Sequence, residues 1–367
     1  MHHDVWAEID LNSIQQNLAT IKEALLPDTG VIAVVKSNAY GHGLVEVAKA
    51  LEDAEADMFA VTSIEEAVTL RQSGITKPIL NLSYTAETDV ALAIEKKISV
   101  TIYDSNSASI LHEAASKLKK PLRIHIKIDT GMSRLGIHVD EALSDVPKIM
   151  QMPYFRVDGI YSHFADEDDT RFVQQQYEVM QRFLFSLQQQ GFLVPAVHMA
   201  KSGVLFQSKD YHFEAVRPGL ALYGYGPQGH NLQPALSFKT VLAQVKKIPK
   251  GSSVGYMQTF KADRDMTIGI LPVGYAHGYD RGLSNKGHVL VDGYKCPVIG
   301  RVCMALTIID LTPVPTRLTI GEEVVLVGEQ KKAEITVKDL ADLLETNTYE
   351  VVTRIPSSVH RVYHGEH

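Results

Sequence analysis

The chain has 367 residues, 45% of them hydrophobic and 22% charged, with a formal net charge of −7. That length suits two domains at about 150 residues each, with room for a large core, and the acidic balance argues against broad nucleic-acid binding. No apolar run approaches the ~18 residues of a membrane span, and two cysteines, Cys296 and Cys303, are too few for a disulfide scaffold or a four-cysteine zinc site.

The opening Met1-His2-His3-Asp4 is neither basic nor followed by an apolar stretch, so no signal peptide is read and the cytoplasm is expected. From there one rhythm runs through two-thirds of the chain. Short β-branched runs at Val31–Val35, Met58–Val61, Ile79–Leu82, Val100–Tyr103, Arg123–Ile128, Val157–Tyr161, Ala196–Met199 and Glu214–Val216 alternate with helical patterns such as Leu44–Glu52, Ile64–Ser73, Ser107–Lys119 and Val173–Gln190. Alternation implies a parallel sheet, and eight strands favour a closed (β/α)8 barrel over an open, doubly wound sheet. No GxGxxG follows the first strand, which weakens a dinucleotide-binding reading.

The rhythm breaks at the Gly- and Pro-rich Gly224–Pro234. Beyond it lie strand patterns at Thr240–Val245, Met266–Leu271, His288–Val291, Pro297–Gly300, Leu306–Ile309 and Glu323–Val327, with one helix, Val337–Leu344, capped by Thr336. The expectation is a barrel over residues 1–230 and a mostly-β domain over 231–367.

A (β/α)8 barrel places its site at the C-terminal ends of the strands. Lys36 ends the first strand, before the polar, glycine-flanked Ser37–Gly43. It is either a surface lysine opening a loop or a desolvated amine able to form a Schiff base. In Arg123–Asp129, alternation puts His125, Lys127 and Asp129 on the inward face. A buried lysine needs a partner, a lost charge or a covalent modification. Arg134 follows in a glycine-flanked loop and suits a carboxylate, although a structural salt bridge would use it equally. His163 ends the sixth strand and His198 lies in the seventh. Ser202 and Arg217-Pro218-Gly219 follow strands seven and eight, where barrels bind phosphate. The His and carboxylate positions form no recognisable metal-ligand cluster.

At Ala33–Gly43 (AVVKSNAYGHG) the sequence resembles the alanine racemases, pyridoxal-phosphate enzymes of fold type III. The likeness continues through Trp6–Asp10, His125–Gly136 (HIKIDTGMSRLG), Gly159–Phe164 (GIYSHF), Val216–Gly226 (VRPGLALYGYG), Pro272–Gly278, Gly300–Met304 (GRVCM) and His360–Tyr363, in order along essentially the whole chain. The resemblance implies a barrel plus a β domain that completes the active site of a partner in a head-to-tail homodimer. It implies that Lys36 carries the cofactor covalently. Tyr40, Ser202 and the backbone of Gly219 and Leu220 would hold its phosphate. Arg217 would face the pyridine nitrogen, supported by His198, with His163 nearby. Tyr256 of the partner subunit would be the second acid/base, on the face of Cα opposite Lys36. Arg134 and the backbone of the partner's Met304 would position the substrate carboxylate and a cofactor oxygen. Tyr275 would shape the entrance, and Lys127 would be carbamylated and pair with Arg134. A permanently charged arginine at the pyridine nitrogen disfavours protonation there and should limit side reactions.

Four positions depart from the family pattern. Lys201 stands where Asn is usual (HMAKS), Ala305 and His277 where Asp is usual, and Ser357 where a phosphate-binding Tyr is frequent. The implied activity is interconversion of L- and D-alanine, supplying D-alanine for peptidoglycan. The alternatives are a racemase for serine or another small amino acid, a related decarboxylase using Cys303, and a non-catalytic cofactor-binding homologue.

Overall fold

A computed structural model describes residues 3–365. The described chain forms two compact units, one spanning residues 13–39 and 44–234, the other residues 3–12, 40–43 and 235–365.

The first unit is a closed barrel of eight parallel strands. They are β1 (Gly30–Val34), β2 (Met58–Val61), β3 (Ile79–Asn81), β4 (Ile98–Ile102), β5 (Leu122–Asp129), β6 (Phe155–Tyr161), β7 (Ala196–Lys201) and β8 (Ala215–Arg217). Each pairs with the next in chain order, and β8 closes onto β1. The eight strands match those read from the sequence to within a few residues. They are recognisable because both faces are buried, one on helices and one inside the barrel, so each reads as a nearly unbroken apolar run. In β5, Ile124, Ile126 and Ile128 have no exposed surface, and His125 and Lys127 on the alternate face are buried as well. The helices start where caps permit. Ser63 caps Ile64–Gln72 through the Glu66 N–H, and Asp169 caps Thr170–Gln189 through the Phe172 N–H.

The second unit is mostly strand. Its larger sheet runs Tyr294–Pro297, His288–Val291, Glu323–Gln330, Leu236–Val241, Val5–Asp10, His360–His364. The sequence reading groups Val5–Asp10 with the barrel. Here it lies antiparallel to Leu236–Val241 and parallel to His360–His364. A smaller antiparallel sheet joins Gln244–Ile248, Met266–Leu271 and Thr307–Asp310. Thr336 caps Val337–Leu344 in a capping box, as expected, and a second short helix, Thr348–Thr353, follows. The strand expected at Pro297–Gly300 is reduced to an isolated bridge at Val298, because the chain turns at Gly300 with φ 73°.

Candidate active site at the barrel mouth

The residues singled out on the barrel strands meet at their C-terminal ends. Strand register sets one inward layer: Lys127 on β5 pairs with Tyr161 on β6, and Tyr161 with His198 on β7. The Tyr161 ring stacks on His198 at 4.9 Å between centroids, with Lys127 Nζ 5.5 Å and Arg217 Cζ 5.1 Å from its centre. Its hydroxyl bonds Thr101 Oγ1 at 2.9 Å. Tyr161 and Thr101 carry no role in the sequence reading. The signal that finds them is register: a tyrosine ending β6 falls between two inward residues already picked out.

Arg217 is the centre of the network. Nη1 donates to His198 Nδ1 (2.5 Å) and to the His198 carbonyl (2.7 Å). Nη2 donates to the carbonyls of Ser162 (2.5 Å) and Met199 (3.1 Å) and to His163 Nδ1 (3.1 Å). None of these acceptors is a carboxylate, so the buried charge keeps its full sign. A guanidinium only donates, which fixes the protons beyond it. His198 must accept at Nδ1, so its proton sits on Nε2 and goes to His125 Nδ1, 2.9 Å away. His125 fits because β6 has Gly159 beside it, where a Cβ would lie 2.4 Å from Nδ1. Burial and the Arg217 charge hold His163 and His198 well below the ordinary imidazole range. His125 falls to about 4, chiefly through burial. All three imidazoles are therefore neutral near pH 7.

Two lysines share this mouth. Burial, then the nearby Arg134 charge, lowers the proton affinity of Lys36, while Glu66 works against both. Burial, Arg134 and Arg217 bring Lys127 from 10.5 to about 8. Arg134 rides on a loop built by Asp129, whose Oδ1 accepts the N–H groups of Gly131, Met132 and Ser133.

Lys36 opens a feature absent from the sequence reading, which has a flexible turn here. Ser37, Asn38, Ala39 and Tyr40 all sit at φ 51–55°, a left-handed turn of four L-residues. Such residues cost about 1–2 kcal/mol each. The turn is tied down locally. Ala39 N–H donates to the Val35 carbonyl, Asn38 N–H to Glu66 Oε1, and Leu44 N–H to Asn38 Oδ1. Strain of this kind clusters at functional sites. Tyr40 groups with the second unit, its ring 6.0 Å from that of Tyr349.

At the ends of β7 and β8, Ser202 Oγ accepts the N–H groups of Gly219 (3.0 Å) and Ala221 (3.2 Å). With its lone pairs engaged, the hydroxyl is left to donate.

The second unit carries the other predicted residues, and they are exposed. Tyr256 is 71% exposed and Met304 62%, with Met257 and Tyr275 also open. Gly255 (φ 70°), Met257 and Gln258 all hold positive φ around Tyr256. The Gly274 backbone packs on Cys303 and Met304, and Tyr275 N–H donates to the Cys303 carbonyl. His277, standing where Asp is usual, closes this turn by accepting the Gly274 N–H at Nδ1.

Residues 9–227 match the family model for the alanine racemase N-terminal domain, and residues 235–363 match that for the C-terminal domain. The chain belongs to the alanine racemase family. A curated alanine racemase from Methanococcus maripaludis is 38% identical over 98% of this chain and 99% of its own. A solved alanine racemase from Clostridium difficile 630 superposes with a TM-score of 0.94 at 32% identity, covering 99% of this chain and 96% of that one. The alanine racemase of Bartonella henselae, solved with covalently bound pyridoxal phosphate, gives 0.88 at 28% identity over 98% and 99%.

Alanine racemases are isomerases that work with pyridoxal phosphate, and the barrel mouth fits that group. It offers an amine of lowered proton affinity at Lys36, a spare hydroxyl donor at Ser202, and an excess of cations over carboxylates suited to a phosphorylated ligand. Among the described residues no helix is long and apolar enough to cross a membrane, and no group of three or more His, Cys, Asp or Glu side chains could hold a metal ion.

Proposed function

We propose that this protein interconverts L- and D-alanine with pyridoxal 5'-phosphate as cofactor, as a homodimer in the cytoplasm, supplying D-alanine for peptidoglycan. The observation that carries the reading is Lys36: a half-buried amine of depressed proton affinity, followed by a strained left-handed turn at the mouth of a barrel. When bound, pyridoxal phosphate supplies the electron sink that acidifies the Cα–H of an amino acid joined to it.

The chain's own residues do the rest. Lys36 Nζ takes or returns the proton on one face of Cα, and its lowered proton affinity keeps it able to do both. Tyr256 of the partner subunit does the same at its hydroxyl on the other face. The exposure of Tyr256 supports this, since its hydroxyl is open to another subunit. His163 Nδ1 is committed to Arg217, so its Nε2–H is the donor available to the partner's Tyr256. The Ser202 O–H and the backbone of Gly219 and Leu220 would hold the phosphate. Arg217, held by His198, would face the ring nitrogen and disfavour its protonation. Arg134 orients the substrate carboxylate, the backbone of the partner's Met304 orients a cofactor oxygen, and Tyr275 narrows the entrance.

Lys127 answers a charge problem. With its proton affinity at about 8, part of the amine is neutral near physiological pH. The neutral amine adds to carbon dioxide and releases a proton, leaving a carbamate. That replaces a cation beside Arg134 with an anion.

The test is incubation of the purified protein and pyridoxal phosphate with L-alanine in heavy water, with L-serine in parallel. Loss of the Cα proton by NMR together with appearance of D-alanine on a chiral column is expected. Faster turnover of serine would move the substrate assignment, and bound cofactor with no exchange of either would overturn the catalytic reading.

A further inference from the structure

The end of β7 carries an ion pair that the proposed reaction leaves unused. Lys201 Nζ pairs with the Glu167 carboxylate, the two side chains being 17% and 33% exposed. Glu167 is held from two further directions. Gln207 Nε2 donates to its carbonyl at 2.7 Å. Its carboxylate lies over Gly203, where a Cβ would come 2.7 Å from Oε1. The loop after β6 is thereby fastened across the short helix Ser202–Leu205.

Two neighbours set this pair apart from an ordinary surface contact. Ser202 follows Lys201 directly and offers its O–H beside the N–H groups of Gly219 and Ala221. His163 lies within reach of the Lys201 charge, which depresses its proton affinity after the larger effects of burial, Arg217, Arg134 and Lys127. The proposed phosphate donors, a hydroxyl and backbone amides, are all neutral, and Arg217 is spent on carbonyls and imidazoles. A dianion in a cup of neutral donors wants a full positive charge, and a lysine ammonium serves phosphate as a point charge.

We propose that Lys201 and Glu167 form a charged latch at the phosphate end of the barrel mouth, in which Lys201 supplies the positive charge that retains the phosphate and Glu167 holds that ammonium in place. An ammonium has three N–H donors, so the carboxylate can keep one while a phosphate oxygen takes another. The inference rests on the reading that pyridoxal phosphate occupies this cup. It gives a purpose to one departure from the family pattern, the lysine in His198-Met199-Ala200-Lys201-Ser202.

Equilibrium titration tests it without recourse to turnover. Wild type, Lys201→Asn, Lys201→Arg and Glu167→Gln are each titrated with pyridoxal phosphate and with pyridoxal, which lacks the phosphate, following the absorbance change on binding. Lys201→Asn should weaken pyridoxal phosphate about threefold to fivefold and leave pyridoxal unchanged. It should also flatten the salt dependence of the phosphorylated ligand. Lys201→Arg should retain the preference for the phosphate, which guards against a merely misfolded Asn variant, and Glu167→Gln should keep the preference with a smaller loss of affinity than Lys201→Asn. Equal loss of both ligands in Lys201→Asn would make the pair a loop fastener only, and no loss of either would remove its role; both overturn the proposal. Wild type that binds neither ligand would overturn the cofactor reading itself, and this inference with it.

Discussion

The barrel mouth and the exposed loops of the second unit treat their functional side chains in opposite ways. Arg217 is buried, its guanidinium committed to three carbonyls and two imidazoles, and the groups around it have proton affinities displaced by burial and by one another. Tyr256 is exposed on a strained loop, and Met257 and Met304 are also exposed. One region is organised before anything binds. The other has the strain and the uncovered apolar surface of a site awaiting its cover. The contrast teaches how the proposed chemistry would divide: the barrel would fix charge, and the second unit would contribute a group useful only when something is laid over it.

The sharpest way to break that division is complementation. Tyr256→Phe should lower turnover by about 10²–10⁴-fold while cofactor binding persists, because Lys36 is intact. Lys36→Ala should be inactive for the complementary reason. Mixing the two variants after dissociation should restore activity, since a mixed dimer has one site with both groups. No recovery in a verified mixed dimer would place both bases in one chain and undo the comparison.

How much of this was legible beforehand differs between the two regions. Every barrel strand could be read, because buried parallel strands are short apolar runs separated by helical patterns; Lys127 followed from alternation within its run, His198 from its place in the seventh strand and Arg217 from the end of the eighth. The left-handed turn Ser37–Tyr40 could not. Nothing in Ser-Asn-Ala-Tyr demands positive φ at four successive residues, and the conformation is imposed by contacts from outside the turn, notably Glu66 on a helix that begins 24 residues after Tyr40. The pairing of Val5–Asp10 with the C-terminal sheet was hidden for a similar reason: its partners lie more than 200 residues away. Glu167 was missed because a carboxylate in an acidic loop has no signal until its partner Lys201 is placed beside it.

A second, smaller test sharpens the account of the barrel as a charge-setting scaffold. Lys127 has its proton affinity lowered from 10.5 to about 8. Between those values the unfolded chain binds the proton more tightly than the folded one, so stability should rise with pH across the window. Well below pH 8 both states are protonated and the penalty is complete. In carbon-dioxide-free buffer, thermal unfolding of wild type relative to Lys127→Met should therefore improve by roughly 2 kcal/mol from pH 8 to 10.5. Bicarbonate should flatten that dependence in wild type and leave the variant unaffected, since only a lysine can form the carbamate. Parallel curves in both buffers would mean the amine is better solvated than its burial implies.

The smallest effect belongs to His125, and it discriminates most finely between a proton relay and a fixed scaffold. The direction of every proton in the chain Arg217–His198–His125 is dictated by a guanidinium that cannot accept, so His125 receives a hydrogen bond at Nδ1 and passes on no charge. With a proton affinity near 4 it stays neutral throughout the working range. His125→Asn retains an acceptor of similar reach, so it should cost only about 1 kcal/mol, the worth of one weakened hydrogen bond, and lower turnover a few-fold without moving any pH inflection. A relay histidine would behave differently: its loss would remove an inflection from the rate profile. The scaffold reading requires the profile to keep its shape and fall uniformly, because a slightly looser Arg217 acts equally at every pH at which the imidazoles are neutral.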